Sequence, residues 1–295
     1  LDIEEKAEDY IKVEYNPNRP DFSTDYGIVR ALKGLLGLEK GCPNYEVQKS
    51  ELVVQVDKSV EEVRPYIVSA LIEGITLDDE TIRQIIVMQE DLHHTIGRRR
   101  AKVSIGIHNF DVLKPPIIYT TETPDFKFVP LGGVEPLSMG EILDKTPVGQ
   151  KYGWIVAKHP RYPILVDSLG QVLSFPPIIN GELTRVTSAT RNLFIDITAT
   201  DLKAAEDALA ILVTTLADAG GVIRSAEVRY PNLTLLTPNL TDMEMKVALR
   251  RVNRLLGLRL KGEEAVECLA RSRIDAEYDG GMLRAKIPRY RVDIM

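Results

Sequence analysis

The sequence predicts a mixed α/β (α+β) fold with more than one domain. Three observations carry that reading. Short runs of alternating apolar residues recur along the chain, as half-buried strands require. Between them lie runs with apolar residues at helical spacing, opened by Asp or Thr and closed by Gly. The length, 295 residues, exceeds the ~100–200 residues of a typical single domain.

In chain order, residues 11–15 alternate like a strand and run into a turn cluster at 16–21. Ile28, Leu32, Leu35 and Leu36 then mark a helix that Gly37 and Gly41 close. Residues 52–56 and 66–71 have strand composition. Asp78 or Asp79 caps a helix through about Thr95, with Ile82, Ile85, Ile86 and Leu92 on one face. A strand at 103–107 follows, then a Pro- and Gly-rich stretch of loops and short elements from 115 to 149. Residues 162–167 and 171–175 form a hairpin around Ser168-Leu169-Gly170. A strand at 193–198 leads to Asp201, which caps a helix holding Ala205, Leu209, Leu212, Val213 and Leu216 inward. Gly220-Gly221 ends that helix, and 222–230 is a further strand. Thr241 and Glu244 make a capping box that opens a helix to Leu256. A short helix after Gly262 and strands at 274–278 and 282–287 complete the pattern. The spans are a leader of 1–45, a central domain of 46–230 with mixed sheets and packed helices, and a small helical domain from 231 to 295.

Composition narrows the function classes. Hydrophobic residues at 44% and charged residues at 27% exclude a disordered chain. Lys and Arg number 37 against 43 Asp and Glu, a net charge of −6. Bulk charge therefore does not hold nucleic acid, and any such role needs a local patch. Cys42 and Cys268 form neither a disulfide framework nor a zinc pattern, which points to a reducing, cytoplasmic setting. No apolar run reaches the ~18–20 residues of a membrane span, and residues 1–15 are charged throughout, unlike a signal peptide. The chain lacks an initiating Met and stops in a strand-like run, so it is expected to be a fragment of a larger subunit.

Familiar catalytic motifs are missing: no Gly-x-Ser-x-Gly elbow, phosphate-cradling Gly-x-x-x-x-Gly-Lys loop or His-Glu-x-x-His pair occurs. Five other constellations each have a functional and a plain reading. Glu90, His93 and His94 share a helix face and are either part of a metal site lacking a third ligand or cations favoured at a helix C-terminus. Arg98, Arg99 and Arg100 form the densest basic run, either a solvated turn or an RNA phosphate contact. His108 ends a strand and either faces a cleft or sits hydrogen-bonded in the core. In residues 174–180 two prolines fix the backbone while apolar groups flank Ser174 and Asn180, as in a pocket for an amphipathic ligand or an anchored surface loop. Phe194, Asp196, Thr198 and Thr200 share one strand face, which orients a water or is simply solvated.

Together these segments resemble the β subunit of phenylalanyl-tRNA synthetase of the archaeal and eukaryotic type. Asn18-Arg19-Pro20-Asp21 is similar to the family's Asn-Arg-x-Asp turn. The stretches 98–111, 176–180, 198–201 and 291–294 resemble family segments in the same order, so the likeness covers nearly the whole chain.

That resemblance implies an editing domain over 46–230 that hydrolyses tyrosine wrongly esterified to tRNA(Phe), without a cofactor. The flanks would be part of an N-terminal domain and the start of a small nucleic-acid-binding-like domain. It implies Leu165, Pro176, Asn180 and His108 as substrate contacts, Ser174, Asp196 and Thr198 as the catalytic set, and Arg98, Arg99 and Arg100 against tRNA. Position 109 is Asn where the family pattern has Asp, which lowers the weight of Asn109 and Asp111. Asp293 matches one carboxylate of a magnesium site at the contact with the α subunit, the remaining ligands lying outside this sequence. The parent enzyme would use ATP and Mg, in a heterotetramer of two α and two β subunits. A non-catalytic RNA-binding or assembly module is the rival reading, and a stand-alone small-molecule hydrolase a third.

A second site answers a physical need. Tyrosine is phenylalanine plus one hydroxyl, and an apolar pocket rejects such an isostere by only ~100-fold. A site built to satisfy the hydroxyl leaves its own polar groups unpaired around phenylalanine, at ~1–3 kcal/mol each.

Overall fold

The computed structural model describes residues 2–294. They divide into two compact units, one of residues 46–239 and one joining the residues up to 45 with those from 240 onward. The three spans expected from sequence therefore become two. The boundary expected at 230 moves to 239 because the Thr234–Thr237 strand pairs with Ala226–Arg229.

The central unit rests on two sheets. In the four-stranded sheet Val222–Arg224, Tyr66–Glu73, Leu193–Ala199 and Val103–Asn109 lie side by side, all antiparallel. The seven-stranded sheet is mixed, with Val53–Val56 parallel to both Ile117–Glu122 and Ala226–Arg229. Beyond Ile117–Glu122 it continues through the Tyr162–Val166 and Val172–Phe175 hairpin to Ile179–Asn180. The mixed sheets and packed helices match the fold class read from the sequence.

Strand alternation joins the two layers. All seven residues of Leu193–Ala199 are buried. Phe194 packs into one cluster with Leu71 of its own sheet and Val54, Tyr119 and Leu165 of the other. Ile195, Ile197 and Ala199 take the opposite face, against the Leu202–Asp218 helix. The Asp201 carboxylate accepts from the Ala204 N–H and starts that helix. Gly220, at φ +96°, closes it. This helix is buried around most of its circumference rather than along one stripe. Its buried Thr214 and Thr215 hydroxyls avoid being orphaned by donating to the Ala210 and Ile211 carbonyls.

Two expected elements are corrected. The run 222–230 is two strands in different sheets, because the chain crosses between layers at buried Ser225. The crossing is pinned by the Ser225 N–H donating to the Gln48 carbonyl at 2.8 Å. The helix expected from Thr241 begins only at Leu249, and Met243–Ala248 is a strand. From Met243 to Val247 half-buried Met243, Met245 and Val247 alternate with exposed Glu244 and Lys246, a period of two rather than 3.6.

The other unit is thus not a helical domain with a separate leader. It holds the Asp2–Lys6 and Ile11–Glu14 hairpin, the Asp25–Leu35 helix, and a three-stranded antiparallel sheet of Met243–Ala248, Met282–Ile287 and Asp275–Asp279. The Leu249–Leu256 and Gly262–Arg271 helices cover that sheet through Leu249, Ala265 and Leu283.

Candidate active site

A cavity of about 440 Å³ opens in the central unit. The Asp79–His94 helix forms one wall, the Val103–Asn109 strand the floor, and the 174–180 segment the facing wall. Ile86 is 54% exposed on a helix whose Ile85 and Leu92 are core residues. Its place on the cavity wall accounts for that exposure.

One end of the cavity is polar. Asp196 reaches it from the buried strand, with His108 Nε2 at 2.8 Å from Asp196 Oδ2. The opposite ring nitrogen, Nδ1, lies 2.8 Å from the Thr184 hydroxyl. Both ring nitrogens are thereby engaged, one by the Asp196 carboxylate and the other by the Thr184 hydroxyl. The histidine is fully buried and hydrogen-bonded, the plainer of its two sequence readings, and it still serves the site by fixing Asp196. Gly106 makes room for this pair. A Cβ there would stand 2.0 Å from Asp196 Oδ2 and 2.6 Å from His108 Nε2.

Ser174, Pro176 and Asn180 also line the cavity. The Ser174 hydroxyl is buried and has no hydrogen-bond partner among the described residues. The Asn180 amide donates to the Ile107 carbonyl at 3.3 Å. Two expected members lie elsewhere. Leu165 belongs to the core between the sheets. Thr198 is fully buried and holds Arg64, whose Nε donates to its hydroxyl at 2.9 Å and Nη2 to its carbonyl at 2.7 Å. Burial lowers the Arg64 pKa to about 10.

The basic run divides in the same way. Arg98, Arg99 and Arg100 have φ of +46°, +57° and +67°. Three consecutive left-handed residues are costly for side-chain-bearing residues. Arg98 and Arg99 stay exposed. Arg100 turns into the cavity wall, donating to Glu90 Oε1 at 2.6 Å and to the Ile178 carbonyl at 3.0 Å. As a wall residue it is not a free phosphate contact.

Glu90 also meets His93 Nδ1 at 3.0 Å, while His93 Nε2 accepts from the Ile105 N–H at 2.9 Å. Both ring nitrogens are engaged, so His93 does not serve a metal here. Burial lowers the His93 pKa. The His93 hydrogen bond, followed by the Arg100 charge, takes Glu90 down to about 2. Sequence reasoning noted the Glu90–His93 spacing but not the charged corner it builds with Arg100. Thr184 carried no sequence signal at all.

Outside the central unit, Asp293 receives two hydrogen bonds from Arg291, at 2.8 and 2.9 Å. Arg19 and Asp21 form the same two-residue-spaced fork, both bonds at 2.8 Å. Among the described residues no group of three or more His, Cys, Asp or Glu is placed to hold a metal. With both Asp293 oxygens on Arg291, this chain's residues do not by themselves fit a magnesium ion. Among the described residues no helix is long and apolar enough to cross a membrane.

Comparisons with known proteins agree with this architecture. Residues 245–295 match the tRNA synthetase B5 domain family. The phenylalanine–tRNA ligase β subunit of Thermococcus onnurineus is 47% identical over 294 residues, 99% of this chain and 51% of that protein. The β subunit of Archaeoglobus fulgidus is 46% identical, over 100% of this chain and 54% of its own length. A crystal structure of an N-terminal fragment of the phenylalanyl-tRNA synthetase β subunit from Pyrococcus horikoshii superposes with a TM-score of 0.93 at 44% identity, covering 96% of this chain and 82% of that one. The chain spans about half the length of the curated relatives it matches. Fold and matches together are those of an aminoacyl-tRNA synthetase subunit. The chain belongs to the phenylalanyl-tRNA synthetase β-subunit family.

Proposed function

We propose that the central unit is an editing domain, hydrolysing tyrosine wrongly esterified to tRNA(Phe). The parent enzyme then joins phenylalanine to that tRNA with ATP and Mg, as two α and two β subunits in the cytoplasm. One observation carries the reading. A largely apolar cavity ends at the Asp196 carboxylate, held by His108, and at a Ser174 hydroxyl with no hydrogen-bond partner among the described residues. A tyrosyl ring fits the apolar walls and its phenol satisfies such groups. Phenylalanine leaves them unpaired at ~1–3 kcal/mol each.

The residues divide the work. His108, held by Thr184, fixes Asp196 so that the carboxylate meets a hydroxyl or a water without reorganisation. Pro176 and Asn180 shape the wall. An aminoacyl ester is already activated, so a water held in attack geometry suffices and no covalent nucleophile is required. Arg98 and Arg99 supply exposed charge for the tRNA backbone.

Calorimetric titration with non-hydrolysable amide analogues of tyrosyl- and phenylalanyl-adenosine tests the pocket. The tyrosyl analogue is expected to bind about tenfold or more tightly. Equal affinity would remove the phenol-selective reading and leave the unit an RNA-binding or assembly module.

A further inference from the structure

Trp154, the chain's one tryptophan, stands 60% exposed in the Gly153–Ile155 turn. So large an apolar ring left in water gives up much of the stabilisation its burial would bring. Two lysines flank it in sequence, three residues before and four residues after. Lys151 and Lys158 are exposed and form no salt bridge among the described residues, in a chain of net charge −6.

The helix that precedes it reaches the cavity: Val148, on Pro147–Tyr152, lines the wall, and Trp154 sits in the turn that follows that helix. The Tyr152 ring links the two places. The Arg100 guanidinium lies 4.5 Å from its centroid and the Lys151 ammonium 5.0 Å.

We propose that Trp154 is a stacking platform for an unpaired base of an RNA 3′ end, with Lys151 and Lys158 taking the adjoining phosphates. Flat aromatic surface with exposed lysines close by in the chain is what single-stranded nucleic acid requires. The proposal rests on the reading above, in which an aminoacylated RNA end enters the cavity. It adds where the nucleotides before the ester bind.

The chain's single tryptophan reports directly. Short single-stranded RNA ending in 3′-CCA is titrated into the chain while tryptophan fluorescence and, independently, polarisation of labelled RNA are followed. Quenching is expected on binding. Trp154→Ala weakens affinity roughly tenfold, since stacking contributes ~1–3 kcal/mol per base, whereas Trp154→Phe keeps most of it. Lys151→Gln lowers the salt slope by about one. Thermal unfolding of each variant verifies folding, and the Phe variant decides the matter if the Ala variant is unstable. RNA that fails to bind, binds without quenching, or binds equally to Trp154→Ala overturns the platform. Hydrolysis of tyrosyl-tRNA measured alongside separates the two ideas. Quenching without hydrolysis supports the platform and sinks editing, while hydrolysis without quenching does the reverse.

Discussion

Asp196 and Gly106 stand directly opposite each other on neighbouring antiparallel strands. The missing side chain at 106 is what lets the carboxylate meet His108, whose own cross-strand partner is Phe194. Glycine here serves space, not backbone freedom.

Gly106→Ala is therefore expected to separate Asp196 from His108. The new Cβ collides with both, and both are buried. The unfolding free energy from denaturant titration should fall by about 1–3 kcal/mol, the usual range for overpacking, lowering the midpoint, and tyrosyl ester hydrolysis should fall with it. An unchanged midpoint would show that the pair relaxes around a methyl group.

Thr198 should behave as a structural residue. Thr198→Val leaves the buried Arg64 Nε unpaired, costing about 1–3 kcal/mol. Thr198→Ser keeps the acceptor and most of the stability. Chemical denaturation ranks the variants. A Val variant as stable as the parent would show Arg64 satisfied some other way.

Arg99 invites a test in which two properties move oppositely. Arg99→Gly relieves a left-handed residue, and against glycine's own entropy the net effect is roughly 0 to 1 kcal/mol of added stability. Removing the charge should at the same time weaken tRNA binding and reduce its salt slope by about one. If affinity and slope both survive, the exposed arginines are solvated surface.

Acid should loosen the cavity corner. The folded Glu90 pKa of about 2 lies below its ordinary 4.5. Its contribution is therefore complete above pH 4.5 and is lost as pH falls towards 2. His93, also lowered, begins to erode stability earlier, as pH drops below 6.5 and the unfolded chain takes up the proton first. The Arg100 guanidinium contacts Glu90, and its charge also acts on His93. Unfolding midpoints from pH 7 to 2.5 should decline, and Glu90→Gln should flatten the portion below 4.5. A Gln variant with the parent's acid slope would contradict this.

Much of this was legible in the chain. The 193–198 strand, the helix capped by Asp201 and the 162–175 hairpin declare themselves through local alternation and caps. Residues 243–248 do not, because Thr241 and Glu244 satisfy a local capping pattern while the six-residue pairing with Met282–Ile287 is non-local and decides the outcome. At the site, the face shared by Asp196 and Thr198 was visible, but one strand repeat (about 6.6 Å) separates a cavity wall from the clasp on Arg64. Arg100's inward turn follows from positive φ angles that no sequence rule assigns to arginine.

The most direct measurement is single-turnover deacylation by the assembled two-subunit enzyme, comparing tyrosyl-tRNA(Phe) with phenylalanyl-tRNA(Phe) for the parent, Asp196→Ala and Ser174→Ala. The account predicts fast loss of tyrosine and slow loss of phenylalanine in the parent. Both variants should fall by at least tenfold on the tyrosyl ester, with phenylalanine charging intact. Parent and variants releasing tyrosine at one rate, or a parent that does not tell the two esters apart, would contradict it.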